Sequence, residues 1–418
     1  MDRGAGERRQ RAGAGAIADE GREALIARLA GPVYTAAAMK VVIVGAGIGG
    51  LSSGIALGRA GHEVTILEKR AHFKVEGAGV VLGPNVMTAV RLLGLTADLK
   101  DVGREVTGMN ITNARGDVLG RSHYRVSGLP EPGVALHRSR LHEVLRSHFA
   151  GELRFGTALE RLAFADRPEL VVDGAPLSCD LLIGADGIRS QVRQALFPAF
   201  VTRYSGVTCF RFVVDKQWTN EVFEMWGPGK RVGVVPIGQG KTYVFLAMNA
   251  RARASAPWTS LEEFRQRWSA FGSPGAEAIA AVTDFGMLLH DDLEDGLAPK
   301  FYGPGVALLG DAAHAVTPNM GQGAGLAIED ACCLANVLGG TRPLEEALAD
   351  YERLRRPRAK WILERSFSFG RLAQMTSPIG RWFRDLAVRL TPASVNERAL
   401  RRIVTDMPGV PLPTEGPR

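Results

Sequence analysis

Apolar runs of four to six residues recur along the chain. The strongest of them end in glycine-rich turns that lead into helical patterns. Met39-Lys40-Val41-Val42-Ile43-Val44 reads as a buried strand. Gly45-Ala46-Gly47-Ile48-Gly49-Gly50 follows, and Leu51 to Ala60 continues as a helix. His62 to Leu67 is the next strand, closed by Glu68. The pattern returns at Cys179 to Ile183, which runs into Gly184-Ala185-Asp186-Gly187 and a helix start near Arg193. It returns again at Val306 to Leu309, which ends at Gly310-Asp311 before Pro318, Gly321, Gly323, Gly325 and a buried helix over Leu326 to Leu338.

The intervening segments have other periods. Pro84 to Leu95 places Val86, Ala89, Val90 and Leu93 on one helical face. Leu136 to Leu145 reads as a strand end entering a helix, and 153–183 as short strands around turns. Val207–Val214, Val222–Trp226, Arg231–Pro236 and Thr242–Met248 are four successive strand-like runs. Glycine turns at 227–229 and 238–240 join two of the pairs, which predicts an antiparallel sheet. Leu261–Phe271 and Ala276–Ala281 read as helices, and after Pro343 the chain is helical to about Leu390.

A strand, a glycine loop, a helix, a strand and then an acid form the dinucleotide-binding pattern in its required setting. Gly45 permits the tight turn, Gly47 lets backbone approach a pyrophosphate, and Gly50 lets helix pack on strand. Glu68 stands where a carboxylate accepts from a ribose diol. The segment Gly305–Ala331 delivers Asp311 to a loop that precedes a glycine-rich helix N-terminus. Unpaired N–H groups and a positive dipole end suit an anion there, including a reduced flavin ring.

Charge and composition narrow the class. The chain has 418 residues, 46% hydrophobic and 23% charged, with a net charge of +7. That is ordinary for a globular protein. The excess is local: 351–405 holds 13 Lys and Arg against 4 Asp and Glu. Helical spacing with few aromatic–basic alternations assigns it to solvated helix faces and not to nucleic acid, with a membrane-surface role for Trp382–Leu390 left open. No apolar run is long enough for a transmembrane helix. Cys179, Cys209, Cys332 and Cys333 have neither redox nor metal spacing, which points to free thiols in the cytoplasm and no metal site. Residues 1–38, rich in Gly, Ala and Arg, read as a disordered extension or an overcalled translation start.

The three loop motifs, in this order, resemble the class A flavoprotein monooxygenases, the p-hydroxybenzoate hydroxylase family. The nearer likeness is to its branch with salicylate hydroxylases, urate hydroxylases and zeaxanthin epoxidase. It extends over roughly 39–360 and includes Gly77–Asn85 and Arg203–Arg211. It implies an α/β protein with a Rossmann-like FAD-binding domain, an interleaved substrate domain roofed by a mostly antiparallel sheet, and C-terminal helices. The expected segments are 39–72, 101–194 and 291–345 for the FAD domain, 73–100 and 195–290 for the substrate domain, and 346–418 for the helical end. The implied reaction consumes NADH or NADPH and O2. It inserts one oxygen atom, by way of a flavin hydroperoxide, into an aromatic or heteroaromatic small molecule. Epoxidation or Baeyer–Villiger oxygenation of a polyketide, quinone or isoprenoid uses the same chemistry and stays open, as does a monomer or homodimer.

Residue roles follow from the resemblance. Gly45, Gly47, Ile48, Gly49 and Gly50 face the pyrophosphate, Glu68 binds the adenosine ribose, and Lys69 and Arg70 lie toward the adenine. Arg138 contacts FAD, or is a surface cation. Asp186 lies beside the pyrophosphate, or caps a helix. Asp311 accepts from the ribitol, Pro318 sits against the ring, and Gly321, Gln322, Gly323 and Ala324 present N–H groups to it. Arg203, Tyr204, Arg211 and Phe223 are candidates for the substrate cavity, although strand alternation admits only some of them. Arg211 is either a partner for a carboxylate or phenolate or half of a surface ion pair. His314 reads as a packing histidine and Trp226 and Met225 as core, while Phe212 stands where the branch often has glycine and is expected to narrow the cavity or change its lining.

Overall fold

The computed structural model describes residues 38–73, 78–123, 132–164 and 167–411. The expected extension, apart from residue 38, lies outside them, as does Gly77. Val41 to Val44 are buried, as an apolar run covered on both faces requires. They form the middle of a six-stranded sheet ordered Tyr302–Gly303, Val306–Leu308, Leu181–Gly184, Lys40–Val44, Glu63–Glu68 and Glu152–Phe155. Every pairing is parallel except that of the two-residue edge strand. All three sequence motifs therefore leave the same end of one parallel sheet, where α/β proteins bind ligands. Helices Ile48–Arg59 and Gly323–Leu338 pack against each other. This is the Rossmann-type region.

A seven-stranded sheet lies apart from it, ordered Leu289–Leu297, Arg203–Val214, Lys241–Asn249, Lys230–Gly238, Val222–Gly227, Gly108–Asn113 and Val118–His123. Five of its six pairings are antiparallel; Val222–Gly227 and Gly108–Asn113 run parallel. Side chains alternate across it. Phe210, Phe212, Val232, Val244 and Leu246 pack with Phe264 and Trp268 to make a second core on the far face. Cys209, Arg211, Arg231, Tyr243 and Phe245 take the near face and line a cavity.

Three segments depart from the expected division. The strands Gly108–Asn113 and Val118–His123 belong to the roof sheet, not to the FAD domain. The helix Pro84–Leu92 buries Val86, Met87, Ala89 and Val90 in the core of the Rossmann-type region, not in the substrate layer. Leu289–Leu297 is a roof strand that crosses the expected boundary. Its sequence, Leu-His-Asp-Asp-Leu-Glu-Asp-Gly-Leu, is polar because it lies at a sheet edge, so it gives no strand signal. The C-terminal helices run Leu344–Ala373, Pro378–Leu390 and Ala393–Thr405, which is past the expected end.

A buried ionic cluster joins these parts. Arg355 is fully buried and donates to Asp330 at 2.7 Å and to Glu329 at 2.8 Å. Arg358 donates to both oxygens of Glu329 at 2.6 and 2.7 Å. His314 Nε2 meets Asp330 Oδ2 at 2.5 Å, and the Gly310 N–H donates to the same oxygen at 3.1 Å. Asn85 ties Glu329 to Gln322, with bonds of 2.8 and 2.9 Å. His314 is thus the packing histidine expected, 1% exposed. Burial alone would raise the Asp330 carboxyl, but His314 and Arg355 outweigh it and hold the group at about 2.

Removing one partner of such a pair leaves an unpaired buried charge, which costs about 3–5 kcal/mol. Arg355→Met is expected to lose that much in denaturant unfolding, far more than Arg356→Met on the same helix. Asp330 binds its proton more weakly folded than unfolded, so its contribution is complete above about pH 4 and vanishes as pH falls toward 2. Melting temperature followed from pH 6 to pH 2.5 should fall less steeply in Asp330→Asn than in the parent. Parallel curves would remove Asp330 as a source of acid sensitivity.

Candidate functional site

Gly45 has φ +104°, and a Cβ there would come within 2.6 Å of the Ala185 carbonyl oxygen. A Cβ on Gly50 would run into the Gly45 carbonyl. Both glycines are demanded by the protein's own backbone. Gly47 is different: a Cβ there would meet nothing nearer than Ala185 O at 4.0 Å. It faces open space at the N-terminus of the helix Ile48–Arg59, which has no side-chain cap and no acid in its first turn. Its helix N–H groups and positive dipole end are left for an anion from outside the chain.

Glu68 closes this loop, accepting from the Ala46 N–H and the Arg70 N–H, both at 3.0 Å. Lys69 and Arg70 are exposed at the same sheet end. Asp186 lies ahead of the helix Gln191–Leu196, whose N-cap is Ser190, and accepts from its first N–H groups, Gln191 at 2.7 Å and Val192 at 3.3 Å. Its other carboxylate oxygen is buried with no partner among the described residues. Burial raises its pKa, while these hydrogen bonds oppose the rise.

Ile48, Gly49, Ala185 and Gly187 line the same cavity as Gly47. Its volume is about 990 Å³, and its opposite wall is the near face of the roof sheet. The floor is the 310–324 loop. Asp311 is deep in the protein yet open to the cavity, and burial raises its carboxyl, with His314, Arg138 and Arg193 acting against that. Pro318, Gly321, Gln322, Gly323 and Ala324 all line the floor. Gly321 is left-handed at φ +63°, and a Cβ there would project into space free of protein atoms. The helix that starts at Gly323 has no side-chain cap, so no side chain occupies its first N–H groups, and Gly323 and Ala324 line the cavity. The loop is held rigidly: Asn319 donates to Thr317 at 3.0 Å and to the Ser366 carbonyl at 2.9 Å. It also accepts from Arg231 at 2.5 Å.

Arg138 lines the cavity at the first position of the helix Arg138–His148, where a cation opposes the helix dipole. Its side chain makes no hydrogen bond to a described residue, and it feels the charge of Asp311. An exposed cation so placed is available to an anionic ligand.

The roof residues divide. Arg211 and Phe223 reach the cavity. Arg203 and Tyr204 do not, which corrects their assignment to it. Arg203 makes a two-bond pair with Asp295, at 2.9 and 2.7 Å, and stacks on Phe367 at 3.8 Å. The Tyr204 hydroxyl donates to the Ala250 carbonyl at 2.9 Å. Phe212 is fully buried in the far core, so it does not narrow the cavity as expected; a neighbour of Arg211 on a strand must face the other way. Arg211 lines the cavity and pairs with Asp291, and its Nε is buried without a partner among the described residues.

Sequence reasoning missed several polar groups, four of which bear on the site. Tyr243 faces the cavity beside Arg211, and burial raises its phenol well above the ordinary value. Glu224 and Arg231 form a buried pair at 2.9 Å, and Glu224 also accepts from Trp226 at 2.9 Å. Asn85 braces Gln322. Strand alternation was the only available signal for the first three, and it does not say which face is the inner one.

The cavity thus joins a phosphate-accepting glycine loop, a carboxylate, a rigid ring of N–H groups and a largely apolar roof. Glycines whose missing Cβ leaves ligand-sized space suit FAD. Matches to known proteins agree. Residues 38–366 match the FAD binding domain family model. The chain is 35% identical over 385 residues to an aurachin C monooxygenase/isomerase from Stigmatella aurantiaca, covering 87% of this chain and 97% of that one. It is 33% identical over 378 residues to the 2-heptyl-3-hydroxy-4(1H)-quinolone synthase of Pseudomonas aeruginosa, covering 88% and 98%. It is 32% identical to a salicylate hydroxylase of Pseudomonas putida, covering 82% and 87%. PqsL of P. aeruginosa, solved with 2-aminobenzoylacetate, superimposes with a TM-score of 0.75 at 26% identity over 85% of this chain and all of that one. HpxO of Klebsiella pneumoniae, solved with FAD and uric acid, shares the fold at a TM-score of 0.80 and 24% identity over 90% and 100%. Fold, site and relatives together place the chain in the class A FAD-dependent aromatic monooxygenases, enzymes that hydroxylate aromatic and heteroaromatic small molecules.

Proposed function

We propose that this monooxygenase hydroxylates an uncharged bicyclic heteroaromatic of the 4-quinolone type that carries an apolar substituent, with NADH or NADPH as electron donor. The observation that carries the reading is the state of Arg211. It is one of two cations on the roof near face, and both are already paired, Arg211 with Asp291 and Arg231 with Glu224. A carboxylate substrate would have to compete with that aspartate, whereas a ring carbonyl needs only one N–H donor. Val80, Val81, Met109, Val222 and Val235 add an apolar wall suited to an alkyl chain. The name of the Pseudomonas quinolone synthase agrees with this chemistry. The salicylate hydroxylase likeness supports a second reading, an aromatic acid.

FAD, when bound, supplies the redox chemistry and the activated oxygen that side chains lack. The chain supplies placement. Gly47 and its helix terminus would hold the pyrophosphate, with Gly45, Ile48, Gly49 and Gly50 shaping the loop and Asp186 nearby. Glu68 would hold the adenosine ribose, with Lys69 and Arg70 toward the adenine. Asp311 would accept from the ribitol and Arg138 would compensate negative charge. Gly321, Gln322, Gly323, Ala324 and Pro318 would hold the flavin ring. Arg211 and Tyr243 orient the substrate from the roof, and the apolar wall excludes water from the reacting atoms. We also infer a cytoplasmic enzyme, monomeric or homodimeric, without a nucleic-acid partner.

Gly47→Arg would fill the anion cradle, and the purified variant is expected to lose nearly all FAD absorbance near 450 nm. Full FAD occupancy in this variant would displace the pyrophosphate from that loop. NAD(P)H consumption by the FAD-loaded enzyme should rise with 2-heptyl-4(1H)-quinolone, with little peroxide, and mass spectrometry should find one added oxygen. Coupled turnover of salicylate but not of the quinolone would favour the aromatic-acid reading instead. Arg211→Met should lower kcat/KM by about ten- to a hundredfold, the size of one lost charged hydrogen bond, while FAD content stays whole.

A further inference from the structure

Helix Pro378–Leu390 carries an apolar stripe that faces away from the protein. Ile379, Trp382, Phe383, Leu386 and Leu390 recur at three- and four-residue spacing and so share one face. They are 72, 61, 60, 37 and 70% exposed. The opposite face makes the contact with the enzyme. Arg384 is 4% exposed, lies 5.1 Å over the Trp226 ring and donates to the Ala373 carbonyl at 3.2 Å. Val388 packs with Leu119 and Trp226. No described residue covers the stripe. An ordinary surface helix has its polar face outward; this one is reversed.

Arg381 and Arg389 lie on the same helix, whose acid Asp385 is paired with Arg384, and Arg398 and Arg401 are exposed on the next, within the 351–405 stretch that holds 13 Lys and Arg against 4 Asp and Glu. Apolar and aromatic side chains on one face, arginines beside them and modest overall hydrophobicity describe a helix that lies in a membrane interface. A second copy of the chain would bring the same arginines against each other, whereas an anionic lipid surface complements them. The position is also particular. Phe369 and Leu372, on the preceding helix, and Arg402, on the following one, line the substrate cavity.

The geometry points to helix Pro378–Leu390 as a docking surface for an anionic membrane, which sets the adjacent end of the cavity against the bilayer. Docking stands on the helix alone. Entry of an apolar substrate from the bilayer rests on the substrate class proposed above.

The test is flotation of the FAD-loaded enzyme with vesicles of phosphatidylcholine, with and without phosphatidylglycerol. The enzyme is expected to float with the anionic vesicles, less so as salt rises. The double substitution Trp382→Ser with Phe383→Ser should cut the bound fraction roughly tenfold or more, with FAD content and melting temperature kept. Arg381→Glu with Arg389→Glu should act in the same direction should the first variant prove unstable. In the unaltered enzyme, hydrogen exchange over 378–390 should slow only when anionic vesicles are added. Absence of vesicle binding, or binding unchanged in both variants, would overturn the proposal. So would slow exchange over 378–390 without vesicles, because another segment or a second copy would then already cover the stripe. Turnover of a water-soluble substrate, measured without vesicles, should be the same in parent and variants. Loss of quinolone turnover in all of them would count against the substrate class and not against docking.

Discussion

The buried cluster of Glu329, Asp330, Arg355, Arg358 and His314 is the constraint on which the site depends. Five ionisable groups without solvent can exist only if each is answered by another. Their pairing fixes the helix Gly323–Leu338 against Leu344–Ala373, and through His314 and Gly310 it fixes the loop that carries Asp311. Asn85 extends the same network to Gln322, at the edge of the ring-binding floor. The row of N–H groups at 321–324 is therefore preorganised by charges that never touch a ligand. A loop of glycines alone would be too free to hold an aromatic ring in one place.

The roof obeys a simpler rule. Alternate residues of a strand face opposite sides, so a single strand supplies both a core and a cavity wall. Phe210 and Phe212 anchor the far core while Cys209 and Arg211 look inward; Val244 and Leu246 do the same opposite Tyr243 and Phe245. Arg211 thereby reaches the cavity as a donor whose charge Asp291 already answers. Cavity and core are coupled: a change of register by one residue would exchange them.

Much of the site could be read in the sequence because its residues are contiguous. A strand, a glycine loop and a helix lie within some dozen residues of each other in all three motifs, and the glycines are there for local backbone reasons. Gly45 needs a positive φ, Gly50 needs contact with its own loop, and Gly47 needs empty space. The division of the chain was less legible. Gly108–Asn113 joins the roof through a parallel partner more than a hundred residues away, and the edge strand Leu289–Leu297 is too polar to announce itself. Asp186 had two readings; it accepts from the Gln191 and Val192 N–H groups beside the Ser190 cap, while its second oxygen has no partner among the described residues.

By itself the sequence determined the FAD-binding architecture, the family of chemistry and the residues of the glycine loops, because these rest on local backbone geometry and short-range order. Tertiary structure alone decided which strand residues face the ligand. Arg203 and Tyr204 were candidates beside Arg211, but partners elsewhere in the chain hold them: Asp295 the first and the Ala250 carbonyl the second. Tyr243, Glu224, Arg231 and Asn319 entered the site the same way, through contacts between segments far apart in the chain. Alternation fixes that neighbours on a strand oppose each other. Only the packing of one sheet over another fixes which side is in.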